Sequence, residues 1–163
     1  MERSEGFPPV ARSDARLLVL GSLPGERSIR EQQYYAHPQN AFWRIMRDVY
    51  GVEGAYEDRC DGLVANRLAL WDVLKRSVRP GSMDADIDLE TAEENDFDTF
   101  FAAHPSISKV LCNGQTAGRL FLKRVLPSLD CELVVDILPS TSPAYASMRY
   151  DRKLETWRAA LGA

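Results

Sequence analysis

The chain has 163 residues, 45% of them hydrophobic, with 24 acidic and 20 basic side chains and a formal net charge of −4. That length supports one globular domain with a real core and excludes two, while the acidic balance argues against a broadly basic nucleic-acid binder and leaves room for a local basic face. Cys60, Cys112 and Cys131 lie far apart without a CxxC pair, which argues against a disulfide framework, a zinc site or an iron–sulfur site. No stretch has the make-up of a signal peptide or the length of a membrane span, so a cytosolic monomer working away from membranes is expected.

Helical and strand-like segments alternate, which predicts an α/β fold: a three-layer sandwich with a central, mostly parallel four-stranded sheet flanked by helices. Residues 1–13, with Gly6, Pro8 and Pro9, read as a flexible arm. Leu17-Leu18-Val19-Leu20 is an apolar run suited to a strand buried on both faces. Gly21-Ser22-Leu23-Pro24-Gly25 then turns the chain at the strand's carboxyl end, where open α/β sheets bind ligands. From Asn40 to Tyr50 apolar residues recur at helical spacing, with Gln39 or Asn40 able to cap. Residues 51–61 read as a connection and 62–69 as a short helix. The second strand is expected over residues 68–74, followed by a basic loop of Lys75, Arg76, Arg79, Pro80, Gly81 and Ser82. Thr91 to Ala103 reads as a helix with Phe97, Phe100 and Phe101 on one face. The third strand is Lys109 to Cys112, turning through Asn113 and Gly114 into a helix reaching Arg124. The fourth strand is Cys131 to Leu138. A closing helix, Ser147 to Leu161, puts Met148, Leu154, Trp157 and Leu161 inward and Arg149, Arg152, Lys153 and Arg158 mostly outward.

Several residues have chemistry that exceeds packing. Between Gln32 and Trp43 the chain crowds aromatic rings and amides, which stack on planar ligands and read hydrogen-bonding edges, although the same rings can simply pin a loop to the core. Asp84, Asp86 and Asp88 can in principle hold a hard cation, but the glycine of an EF-hand loop is missing, and a solvated loop that caps the next helix fits better. Asn113 and Gly114 form a scaffold turn first and a ligand-facing loop second.

The motifs G-S-L-P-G at Gly21, Y-Y-A-H-P-Q-N-A-F-W at Tyr34 and L-P-S-T-S-P-A at Leu138 resemble the uracil-DNA glycosylase superfamily, nearest its hypoxanthine (deoxyinosine) and mismatch-specific uracil/thymine branches. The resemblance implies repair of DNA carrying a damaged or mismatched base, by hydrolysis of the N-glycosidic bond of a flipped nucleotide without cofactor or metal. It assigns the catalytic role to Asn40, which as an amide orients water or the leaving base rather than acting as a base itself; capping a helix is the bland alternative. It further implies base stacking by Tyr35, with Tyr34 as packing, and a pocket floor from Gly21, Ser22, Leu23, Pro24 and Gly25. His37 contacts substrate phosphate or makes a structural hydrogen bond. Asp72 matches the place of a base-reading Asn, with Trp71 as competitor and an ion pair to Lys75 and Arg76 as the alternative; Asn113 joins the substrate-facing set. Ser140, Thr141, Ser142 and Pro143 would grip phosphates, with Tyr145 or Met148 as wedge and Arg149 beside Arg152 as a basic face. Two departures matter. Leu23 replaces the usual Asp or Asn and Leu138 replaces a His or Asn, so a lesion-binding module without turnover is a second expectation, and a small-molecule nucleoside hydrolase using the Asp84 cluster a third.

Overall fold

The apolar run at Leu17 becomes the centre of the molecule because it has a parallel neighbour on each side. The computed structural model describes residues 3–79 and 82–162; Pro80 and Gly81 of the expected basic loop, and the first two residues of the expected arm, lie outside the described residues. In chain order the strands are β1 (Arg3–Glu5), β2 (Leu17–Gly21), β3 (Leu68–Asp72), β4 (Leu74–Val78), β5 (Glu93–Glu94), β6 (Lys109–Asn113) and β7 (Val134–Leu138). The helices are α1 (Glu26–Glu31), α2 (Phe42–Tyr50), α3 (Tyr56–Ala65), α4 (Phe97–Ala103), α5 (Gln115–Leu120), continued by a π-helical turn over Phe121–Val125, and α6 (Tyr150–Leu161). A sheet ordered β3-β2-β6-β7, parallel throughout, forms the core of the expected α/β sandwich. Leu18, Val19 and Leu20 are buried completely, as a strand covered on both faces requires.

Register puts the site at one edge. Gly21 pairs with Asp72, Leu20 with Cys112 and Asn113 with Leu138, so the carboxyl ends of all four strands finish level. The loops that follow them meet there.

Long-range packing corrects several expectations. Residues 51–61 are not a plain connection, since α3 begins at Tyr56 and carries Gly62 in its interior. Glycine is a poor helix former, yet here a Cβ would come within 2.9 Å of Val52 Cγ2, so the close approach of α3 to the preceding loop selects it. The basic stretch after Asp72 is β4, which pairs antiparallel with β1 and β5 in a second, three-stranded sheet. The helix expected from Thr91 starts only at Phe97, where Asp96 caps it by accepting from Thr99 N at 3.1 Å. Lys153, expected outward, is 6% exposed and donates to Tyr145 O at 2.7 Å. The segment α1 lies inside what reads as loop.

The amino-terminal stretch runs along the domain. Phe7 O accepts from Trp71 Nε1 at 3.0 Å, Pro8 O accepts from the Tyr34 hydroxyl at 3.0 Å, and Val10 bridges to Leu70. Among the described residues no helix is long and apolar enough to cross a membrane.

Candidate active site

A cleft of about 590 Å³ opens at the level strand ends, within the size range of ligand pockets. Gly21, Ser22, Leu23, Pro24 and Gly25 line it on one side, Tyr35, His37 and Asn40 on another, and Ser140, Thr141, Ser142, Pro143 and Tyr145 on the third, with Asp72 and Asn113 between them. Arg149 is exposed and lies outside the cleft, at the N-cap of α6.

The first loop is held rigid by a residue that sequence reasoning missed. Arg79 is 5% exposed and donates to the carbonyls of Leu23 and Pro24, while Asp84 lies 4.0 Å from its guanidinium. Asp84 also accepts from the Ser22 hydroxyl at 2.6 Å. Thus Asp84 closes over the loop instead of joining a cation site. Asp86 and Asp88 remain exposed, and among the described residues no group of three His, Cys, Asp or Glu side chains could hold a metal.

The second wall is the aromatic segment. Tyr34 is packing: its ring meets Phe7 edge-on at 5.1 Å, its N–H donates to the Tyr56 hydroxyl, and its carbonyl accepts from Trp43 Nε1 at 2.8 Å. Tyr35 turns the other way with φ +54°, a conformation uncommon for a bulky side chain and one that clusters at functional sites. One face of its ring is stacked on Phe42 at 4.3 Å, and its hydroxyl is buried beside the Asn113 amide without a well-formed hydrogen bond among the described residues. The N-cap of α2 is Ala41; Asn40, one residue earlier, accepts from Phe42 N at 2.9 Å through Oδ1 in a turn that leads into the helix, which leaves its Nδ2 group uncommitted where the residue lines the cleft. His37 is exposed and accepts from Gln39 N at 3.1 Å through Nδ1, a local turn interaction.

Asp72 is the most unusual group in the cleft. It is 4% exposed, its Oδ2 has no partner among the described residues, and neither Lys75 nor Arg76 pairs with it. Burial, reinforced by the charge of Asp84 and opposed by Arg79, pushes its pKa up to about 7. Burial, and then Asp72, also hold the Tyr35 hydroxyl firmly neutral. Gly21 makes this arrangement possible, because a Cβ there would sit 2.4 Å from Asp72 Oδ1 and 3.1 Å from the Tyr35 hydroxyl. Trp71, the competing candidate, faces away and packs on Phe97 and Phe100.

The third wall is tied to the second and to the sheet. Thr141 O accepts from Ala41 N at 2.9 Å, and Trp157 Nε1 donates to Pro139 O at 2.9 Å. Both ends of the Asn113 amide are committed to Thr141: Nδ2 donates to its hydroxyl and Oδ1 accepts from its N–H, each at 2.9 Å. Asn113 therefore acts as a clamp on the loop, and its truncation to alanine should cost about 2 kcal/mol by orphaning buried partners, read as a lowered urea midpoint. Leu138 is buried at the end of β7 and contributes no polar group. Tyr145 is 39% exposed at the rim of the cleft.

Comparison with known proteins agrees with this geometry. The profile of the uracil DNA glycosylase superfamily matches residues 8–161. A hypoxanthine DNA glycosylase of Methanosarcina acetivorans is 38% identical over 157 residues, 94% of this chain and 95% of that protein. One from Methanosarcina barkeri is 40% identical over 119 residues, 71% and 74% of the two chains. The solution structure of a candidate uracil DNA glycosylase from Methanosarcina acetivorans superposes with a TM-score of 0.81 at 36% identity, covering 98% of this chain and 97% of that one. With its motif loops gathered at one sheet edge and the match running nearly end to end, the chain belongs to the uracil DNA glycosylase superfamily.

Proposed function

We infer that this protein is a monofunctional DNA glycosylase that hydrolyses the N-glycosidic bond of a deaminated base, hypoxanthine foremost, after the nucleotide is turned out of the duplex. The observation that carries it is the pair Asp72 and Tyr35 lining the cleft, with Asp72 Oδ2 and the Tyr35 hydroxyl buried just beneath its surface, where an extruded base that settles into the cleft can engage them. A neutral carboxyl and a neutral phenol are two hydrogen-bond donors. A 6-oxopurine presents two acceptors, O6 and N7, on one edge, whereas adenine presents a donor at N6 in place of O6. Two donors therefore favour hypoxanthine over adenine, since the wrong base leaves a buried donor facing another. The same donors stabilise the departing base as negative charge develops on it.

Asn40 orients the attacking water or the leaving base, its Oδ1 being fixed by the hydrogen bond from Phe42 N. The serine-rich loop and Arg149 grip flanking phosphates, and Tyr145 fills the vacated stack. Among the described residues that line the cleft there is no lysine, which supports hydrolysis over Schiff-base strand cleavage. We place the protein in the cytosol, acting on DNA as a monomer.

The test uses single-stranded and duplex oligonucleotides bearing hypoxanthine, uracil, xanthine or a mismatched thymine. Abasic product from hypoxanthine, with strand breakage only after alkali, is expected. Folded protein that yields none from any of them would refute the activity. Tight lesion binding without turnover would instead mark a binding module, the reading that the buried Leu23 favours.

A further inference from the structure

The acidic net charge leaves open which surface meets the phosphates of the bound strand. A second groove, of about 370 Å³, adjoins the main cleft and shares Tyr35, His37 and Asn40 with it. Its far side carries Arg44, Arg47 and Arg59, and Glu53 is the one carboxylate among the described residues that line it. Two of these arginines are held by aromatic rings. The Arg44 guanidinium lies 3.6 Å over the Tyr150 ring, and that of Arg59 lies 4.6 Å from the Trp43 ring, with its Nε buried and without a hydrogen-bond partner among the described residues. Stacking holds a guanidinium flat while leaving its in-plane donors free, the geometry that suits a phosphate. Arg47 is paired with Asp48 at 3.1 Å, with its own side chain half exposed, so that pair is weak and exchangeable.

We propose that this groove carries the phosphodiester backbone of the strand from which the nucleotide in the main cleft is drawn. The strand then leaves the cleft past Asn40 and His37 and crosses Arg59, Arg47 and Arg44. Since Arg44 rests on Tyr150, the neighbour of Arg149, the path ends beside the amino terminus of α6. The proposal rests on the glycosylase function but identifies where the chain finds cationic surface despite its overall charge.

The experiment measures affinity for a hypoxanthine-bearing oligonucleotide, and for the same sequence undamaged, by fluorescence anisotropy across a salt series. Wild type, Arg44→Gln/Arg47→Gln, Arg44→Lys/Arg47→Lys and the remote control Arg119→Gln/Lys123→Gln are compared, with folding checked by circular dichroism. Each phosphate that is no longer neutralised should lower the steepness of log affinity against log salt by about 0.9 for duplex DNA. The glutamine pair is expected to leave about one or two phosphates unneutralised and to bind both oligonucleotides about tenfold more weakly. The lysine pair should recover most of the steepness, and the control should match wild type. A steepness unchanged in the glutamine pair, or reduced equally in the control, overturns the proposal. Wild type that excises hypoxanthine yet shows that result leaves the glycosylase function standing, whereas wild type that binds no DNA removes both.

Discussion

Hypoxanthine release by the wild-type protein is expected to fall about tenfold per pH unit above about 7. Asp72→Asn, whose amide donates at every pH, should show a flat profile and overtake wild type above that pH, and Asp72→Ala should be about 10²-fold slower below it. The cause is the protonation state of one buried carboxyl. The groups around it act in both directions: Asp84 disfavours its ionisation, Arg79 favours it, and Tyr34 and Tyr35 stay neutral because burial raises them. The donor form therefore exists at and below neutral pH. Stability should move in the opposite sense to that usual for a paired carboxylate. An ordinary carboxyl releases its proton near 3.8, so between that value and about 7 the native state keeps a proton that the unfolded chain has lost. Folding free energy then declines as pH rises through this window, and the full penalty, on the order of 4 kcal/mol, is in force above it. Asp72→Asn carries no such penalty. Urea melts at pH 5 and 8 should show the variant gaining on wild type at the higher pH. A pH-independent wild-type rate, or a variant less stable than wild type at pH 8, would contradict the assignment.

The second large effect concerns Asn40. Replacement by alanine should slow excision by at least about 10²-fold while costing about 1 kcal/mol of stability, because the turn hydrogen bond from Phe42 N disappears along with the positioning amide. Asn40→Asp separates the two roles. Its carboxylate still accepts from Phe42 N, so stability should return to the wild-type value, but the Nδ2 donor is gone and the rate should stay low. Rates are measured in single turnover and stabilities by thermal melting. If the aspartate variant regains both, holding the turn is the whole of what Asn40 does.

The central strand and its turn were legible in the sequence because their cause is local: a continuous apolar run buried on both faces, ended by glycines and a proline, reads the same in any context. The sequence by itself also determined the aromatic–amide segment, the serine-rich loop, and through their motifs the superfamily. What the tertiary structure alone decided is where long-range partners override local pattern. Lys75 to Arg79 look like a solvated basic loop until β1, from the amino-terminal segment, pairs with β4, and Arg79, just past that strand, turns inward to brace the loop at Leu23. Gly62 reads as the start of a short helix, whereas the fold places it inside α3, where Val52 packs against it. Asp72 is an ordinary acid in the sequence; its proton is held by burial at the end of β3 beside Asp84, a state that depends on groups brought together by the fold and on water kept out by it.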